Sequence, residues 1–341
     1  MTAAFLPARF YTAPEIAEAE RHRYAARLWH PLAAATELNE GHVLPVQLLD
    51  QPLLLTRSNG LVRAFHNRCP HRAVPFQPEP GPCRRLVCPY HGWTYDLQGN
   101  LLAAAREADF LEPFERGAWS LQALPCRELF GLLWVAGGPD PIALEAQLDL
   151  LLVEAGAALD QPRQLLLRQR RTLACNWKIA HDNTLDDYHV AIAHPTTLHR
   201  DQGPVRHYRH ALSAHATLLA TPWPAGGSFL TFGFAPWTHL LLWPDGRLAL
   251  IQFPPLALDR CAMDVWLLAT DAQRADVSAD PELDAEAWMA ELQTFLEEDR
   301  RLVEGAQRGY RAGFQPGPAH RLEQRILQQQ ALYAELMALT P

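Results

Sequence analysis

Four residues carry the first chemical signal. Cys69-Pro70-His71 is followed, after sixteen residues, by Cys88-Pro89-Tyr90-His91-Gly92-Trp93. Two thiolates and two imidazoles are thus offered from two tight loops, each able to grip a metal centre from one side. A tetrahedral structural zinc would satisfy this donor set. So would a [2Fe–2S] cluster in which two cysteines hold one iron and two histidines the other. The loops alone leave both readings open.

A second cluster of ligand-type residues lies in Asn176–Pro195. Helical spacing places Asp182, Asp186 and His189 on one face. His194 precedes Pro195, and a residue before proline is pushed out of helical geometry. It can therefore curl back towards His189. For one histidine, a polar helix face is explanation enough; for the whole cluster, a metal is the better reading. A third ligand comes from the helix expected over Asp284–Arg311. Its apolar stripe runs Trp288, Leu292, Phe295, Leu302 and Ala306, and Asp299 continues it. A carboxylate on a core-facing stripe is costly unless it is paired or metal-bound. Glu297 and Glu298 fall off the stripe and are expected in solvent. Two histidines and one aspartate make the facial triad that leaves positions open for O2 on non-heme Fe(II). The alternative for Asp299 is a salt bridge, for instance to Arg170 or Arg171.

Both constellations need scaffolds. Thr12–Trp29 reads as an amphipathic helix with Pro14 in its first turn, acids early and arginines late, which suits the helix dipole. Strands are expected over 42–49, 52–57 and 61–66, with Ser58-Asn59-Gly60 as the hairpin turn. A further strand falls near 95–100 and a closing one over Glu128–Gly137. Residues 38–138 therefore form a small β domain projecting the two Cys/His loops. Gly137-Gly138-Pro139-Asp140-Pro141 marks its end. Beyond it come a helix over 142–157, a strand over 165–174, the helix over 176–193, alternating strands through 205–270, and helices over 284–311 and 319–339. Residues 1–37 and 139–341 make the second, larger domain, a mixed sheet with flanking helices.

The bulk composition narrows the function. The chain has 341 residues, 48% of them hydrophobic, and a net charge of −8. That balance argues against a nucleic-acid surface, which needs clustered Lys and Arg. Neither GxGxxG nor GxxxxGK[ST] occurs, so electrons for a redox reaction must come from another protein. No apolar run approaches the ~20 residues that span a bilayer, and Met1–Pro14 lacks a signal-peptide pattern. A soluble, cytoplasmic protein with no membrane partner is expected. Of the six cysteines, Cys126, Cys175 and Cys261 read as small buried side chains and Cys83 as a non-ligand; disulfides are not expected.

Taken together, the motifs resemble the Rieske non-heme iron oxygenases, the α subunits of ring-hydroxylating type. Three matches carry the resemblance: the paired Cys/His loops; Asn176-Trp177-Lys178 leading into Asp182-Asn183, Asp186, Tyr188-His189 and His194; and Glu298-Asp299 followed by Val303-Glu304 and Gln307-Arg308-Gly309. They occur in family order over nearly the whole chain. The tail from Gln307 through Pro316-Gly317-Pro318 to the last helix is most similar to the choline and carnitine monooxygenase branch. Many relatives have Glu-Asn where this chain has Asp182-Asn183, and some have Glu at Asp186; both changes keep the carboxylate.

The resemblance implies an α+β fold, a small all-β Rieske domain beside a helix-grip (START-like) catalytic domain. It implies a [2Fe-2S] Rieske cluster at Cys69, His71, Cys88 and His91, and a mononuclear Fe(II) at His189, His194 and Asp299. Electrons would come from a reductase or ferredoxin and cross between subunits of a homotrimer. Asp186 would bridge His91 of one chain and His189 of the next, orienting an imidazole as outer carboxylates do. Asn183 would belong to the polar shell of the active site. The implied activity is O2-dependent hydroxylation or oxidative demethylation of a small organic substrate.

A Rieske electron carrier without its own catalysis is the rival, but it leaves the second constellation idle. A zinc-stabilised binding protein is the third reading. The substrate pocket is expected within 195–260, where Trp223, Phe229, Phe232, Phe234, Trp237 and Trp243 could cage a quaternary ammonium or stack on a ring. Arg200, Arg206 and Arg209 could clamp a carboxylate. For each of these the plainer role is core or solvated surface.

Overall fold

The computed structural model describes residues 4–76, 78–270 and 281–339, with side chains from 284 in the last segment. The chain divides into two compact units, Trp29–Pro141 and a second built from Met1–Leu28 with Ile142–Pro341. The first unit begins at Trp29 rather than at residue 38, because Trp29–Ala34 pairs antiparallel with Leu132–Ala136.

Within the first unit, His42–Leu48, Gln51–Ser58 and Leu61–His66 form an antiparallel meander. Asn59 and Gly60 both take positive φ (55° and 72°) at its hairpin, the geometry that two-residue hairpin turns require. The expected single strand over Glu128–Gly137 is instead a second hairpin. Cys126–Leu129 turns through Phe130-Gly131, again at positive φ, into Leu132–Ala136. A small three-stranded sheet, Leu86–Val87, Thr94–Tyr95 and Leu101–Ala103, carries the second Cys/His loop.

The second unit is organised by one antiparallel sheet. Its strand order is Gln164–Leu173, Arg260–Ala269, Leu248–Gln252, Thr238–Leu242, Ser228–Phe234, Ala216–Pro222 and Arg209–Leu212, with Pro255–Ala257 appended. The central strands Thr238–Leu242 and Leu248–Gln252 are buried at every position. Both faces are therefore covered and the in/out alternation of a half-solvated strand is lost. The helix Trp177–Leu185 with the segment that follows it, and the helix Pro281–Arg311, carry the residues of the second constellation.

The expected N-terminal helix is broken. Arg9–Thr12 and Pro14–Ala19 are helical, Glu20–Tyr24 is a π-turn, and Ala25–Arg27 is 3-10. The π-turn coincides with a buried ionic cluster. Glu20 accepts from Lys178 Nζ at 2.5 Å, from Tyr333 OH at 2.6 Å and from Trp177 Nε1 at 2.9 Å. Widened turns of this kind are rare and are frequently found at functional sites.

Candidate active site: a paired Cys/His cradle and a His-His-Asp triad

The two Cys/His loops share one backbone design. Cys69 N–H donates to Val74 O and Cys88 N–H to Trp93 O, five residues on in each case. Ala73 N–H returns to Cys69 O and Gly92 N–H to Cys88 O, both from residues at positive φ (58° and 70°). Glycine takes that conformation freely; alanine takes it at a cost. The thiols are buried and the imidazoles of His71 and His91 exposed, their ring centroids 4.7 Å apart. His71 stacks on Trp93, and Tyr90 on His91. Burial raises the Cys69 thiol pKa, so a thiolate here needs a cation bound to it. Two sheltered sulfurs and two adjacent imidazoles on twin loops fit a [2Fe–2S] centre. Cys83 lies apart from this set in its bonding: its thiol donates to Arg85 O at 3.3 Å.

The second constellation converges as well. His189, His194 and Asp299 are, among the described residues, the one group of three or more His, Cys, Asp or Glu side chains whose ligand atoms all lie within 4.8 Å of one another, close enough for a single ion. His189 Nε2 lies 3.2 Å from His194 Nε2 and 3.3 Å from Asp299 Oδ1, and His194 Nε2 lies 3.0 Å from the same oxygen. Adjacent ligands about 2.1 Å from an octahedral ion stand about 3.0 Å apart. The three atoms therefore outline one face of such an octahedron. Electrostatics agree. Burial alone would lower the His189 pKa, but Asp186 and Asp299 outweigh it and raise it to about 10. Burial likewise opposes ionisation of Asp299, and the two imidazoles overcome it. The arrangement demands positive charge at the point where an ion would sit.

Local structure explains how the ligands meet. Asn176 caps the Trp177–Leu185 helix, its side-chain oxygen accepting from Lys178 N–H. The helix was expected to run on to residue 193. It stops at Leu185 because Asp186 is extended (φ −86°, ψ 110°). Asp182, Asp186 and His189 thus do not share one helical face. Asp186 instead approaches His189 from the break, its Oδ2 3.2 Å from Nδ1. Asp182 turns to Tyr11 OH (3.0 Å) and Gln330 Nε2 (2.8 Å). Burial raises its pKa to about 7. A second short helix, Val190–Ala193, ends at His194, which leaves helical geometry (φ −122°, ψ 46°) ahead of Pro195.

Two expectations about the long helix are corrected. Glu298 is not simply solvated: its Oε2 accepts from His194 Nδ1 at 2.6 Å and from Thr197 Oγ1 at 2.9 Å. Sequence reasoning missed it because a residue beside the apolar stripe can still reach a buried partner on another element. Leu302 is exposed and its neighbour Val303 buried, so the stripe drifts by one position past Asp299. The salt-bridge alternative for Asp299 does not arise through Arg170, which reaches Asp264.

Two cavities meet at the triad, sharing Asn183, Asp186 and His189 in their walls. The larger, about 260 Å³, is open and is bordered by Asp182, Tyr11, Tyr310 and Glu323. The smaller, about 60 Å³, lies against the sheet and also includes His194 and Asp299. Of the aromatic residues expected to line a pocket, Phe229 does so; Phe295, from the long helix, is the other aromatic wall. Phe232, Phe234, Trp237 and Trp243 are core, and Trp223 packs on Phe229 from behind. Arg200 and Arg209 pair with Asp201 and Glu154, and neither they nor Arg206 lines either cavity.

Comparison with known proteins gives these sites a family. Residues 28–115 match the Rieske [2Fe-2S] domain and residues 163–226 the catalytic domain of the ring hydroxylating alpha subunit. The chain belongs to the Rieske non-heme iron oxygenases, and its resident groups are a [2Fe-2S] cluster and a mononuclear iron. It is 28% identical over 324 residues to the carnitine monooxygenase oxygenase subunit of Escherichia coli K12, covering 90% of this chain and 84% of that one. It is also 28% identical over 373 residues to the glycine betaine monooxygenase oxygenase subunit of Chromohalobacter salexigens, with coverage of 93% and 82%. Among solved structures, the quaternary ammonium Rieske monooxygenase CntA in complex with L-carnitine superposes with a TM-score of 0.82 at 26% identity, over 98% of this chain and 95% of that one. Naphthalene 1,2-dioxygenase from Rhodococcus sp. shares the fold at 20% identity, with a TM-score of 0.77 and coverage of 99% and 95%. The protein is a Rieske-type oxygenase subunit that uses O2 and externally supplied electrons to hydroxylate or oxidatively demethylate a small organic substrate.

Proposed function

We propose that Cys69, His71, Cys88 and His91 hold the cluster, that His189, His194 and Asp299 hold the iron, and that oxygen insertion takes place in the smaller cavity beside them. The observation that carries this assignment is the spacing of the three ligand atoms, 3.0 to 3.3 Å, with the half-buried Asp299 set against two imidazoles. When bound, the iron supplies O2 activation at its open positions and the cluster supplies electrons singly. The overall balance is R–H + O2 + 2e⁻ + 2H⁺ giving R–OH + H2O. When the attacked C–H belongs to an N-methyl group, the product loses formaldehyde.

The chain's own residues have separable tasks. Glu298 fixes the tautomer of His194 by accepting from Nδ1, so that Nε2 faces the metal. Asp186 stands against Nδ1 of His189, the position from which a carboxylate couples that imidazole to a neighbouring redox centre. His91 of a second copy in a homotrimer is its counterpart, and the electron donor is a reductase or ferredoxin. Asn183, on the wall of both cavities, supplies an amide to the shell around substrate. No helix among the described residues is long and apolar enough to cross a membrane, and the setting proposed is cytoplasmic. An electron carrier would need the cradle but not the triad.

Metal analysis with turnover assays tests the assignment. Asp299→Ala loses the mononuclear iron and keeps the cluster. Asp186→Asn keeps both and loses substrate-coupled O2 uptake. Unchanged iron in Asp299→Ala, or normal coupled turnover in Asp186→Asn, refutes the respective role.

A further inference from the structure

The smaller cavity carries information about charge, given the reading above that oxygen chemistry takes place beside His189, His194 and Asp299. Among the described residues, no Lys or Arg lines it, and its histidines are the two iron ligands. Its three acids are all engaged. Asp299 belongs to the triad, Asp186 stands against His189, and Asp187 is buried between Arg325 Nη1 (3.0 Å) and His210 Nε2 (2.7 Å). That arginine is itself used up, donating also to Thr217 Oγ1 and Thr231 O. Apart from the iron, no unclaimed side-chain charge of either sign therefore faces a ligand.

What remains is neutral. Leu219, Leu241 and Ile251 come from the sheet, and Leu198 and Leu296 from helices. Phe229 and Phe295 add two rings, too few to enclose a cation. Besides Asn183, already assigned to the shell around substrate, and Thr184, whose hydroxyl donates to Ala180 O, two further polar groups have spare capacity. Gln202 spends its Oε1 on Tyr208 OH (3.2 Å), leaving its amide N–H groups. The Thr231 hydroxyl makes no hydrogen bond to the described residues, while its carbonyl is held by Arg325. One water takes about 10–15 Å³ of such space, so about 60 Å³ holds a handful of non-hydrogen atoms.

We propose that this oxygenase takes a small uncharged substrate, an apolar body bearing one carbonyl or hydroxyl group that meets Gln202 and Thr231, and rejects zwitterions. The physical reason is desolvation. Apart from the iron itself, whose charge Asp299 partly offsets, a carboxylate entering this cavity loses its water and finds no cation, and an ammonium finds no free acid; an unpaired buried ion is far costlier than an unpaired dipole. In this respect the chain departs from the relatives named for carnitine and glycine betaine.

The test uses holoenzyme and probes of similar shape that differ in charge: isobutyramide, isobutyrate and isobutylammonium, with glycine betaine and L-carnitine beside them. Binding is read from perturbation of the ferrous-nitrosyl EPR signal of the mononuclear iron, which needs no turnover. Isobutyramide is expected to bind at least about a hundredfold more tightly than the charged probes, as removal of an unpaired buried ion predicts. Gln202→Leu and Thr231→Val each weaken it about tenfold with iron content unchanged. Tighter binding of glycine betaine, carnitine or either singly charged probe overturns the proposal, as does indifference of the signal to all five. Absence of the nitrosyl signal itself would instead count against the iron site.

Discussion

Removing the Glu298 carboxylate is the most informative single change, because it would act on the proposed iron site while leaving each proposed ligand side chain in place. His194 is fully buried, and Glu298 is the acceptor for its Nδ1–H, at 2.6 Å. In Glu298→Ala that donor is left without a partner, which costs about 1–3 kcal/mol. Since about 1.4 kcal/mol is a factor of ten, iron binding should weaken by about 10–100-fold, the range found when such outer partners are removed. The Glu298 side chain is 31% exposed, so water can partly replace it and the lower end is expected. Glu298→Gln keeps an acceptor and should fall between the two. Thr197→Val removes only the hydroxyl that steadies the carboxylate and should change affinity less than Glu298→Ala. The assay is competition for iron against a graded chelator, with the cluster's visible absorbance as internal reference. Iron affinity in Glu298→Ala within about threefold of the parent would refute the reasoning.

Three further outcomes follow from the scaffold. Lys178→Met leaves Glu20 buried beside Trp177 and Tyr333 without its countercharge, and urea denaturation should show a loss of about 3–5 kcal/mol. Asp182 has a folded pKa raised from 3.8 to about 7, so the folded state holds a proton the unfolded state has released. Stability therefore falls as pH rises from about 4 to about 7, and Asp182→Asn should flatten that slope in thermal melts across the same range. In Gly233→Ala the new Cβ would lie 2.2 Å from Leu185 Cδ2 and 3.1 Å from Thr217 Oγ1. Both residues are buried, and calorimetry should register a destabilisation of about 1–3 kcal/mol.

The convergence of the proposed ligands was legible in the sequence where a local rule spoke for each. Asp299 stood out as an acid on an apolar stripe, and His194 as a residue that Pro195 keeps out of the helix. The break at Asp186 was not legible, since nothing in Leu185-Asp186-Asp187 forbids helix. It is imposed by what the two aspartates must reach: His189 for one, Arg325 and His210 for the other. Pocket aromatics were also beyond periodicity. With both faces of the sheet covered, Phe229 and Phe232 both read as buried, and only the packing of flanking helices decides which of them borders a cavity. Glu298 needed a partner distant in sequence, which no spacing within its own helix could announce. The small β unit was easier, because its hairpins are written in turn residues such as Asn59-Gly60 and its twin loops in repeated Cys-Pro.

The division of labour around the smaller cavity has an evolutionary side. The residues proposed to hold iron come from the segment after the Trp177–Leu185 helix and from the long helix, whereas another part of the wall is drawn from neighbouring strands: Leu219, Phe229, Thr231, Leu241 and Ile251. Those strands pair through backbone groups that do not depend on side-chain identity. Selection can therefore exchange wall residues one at a time and change which molecule is oxidised, while the reactive centre passes unaltered from ancestor to descendant.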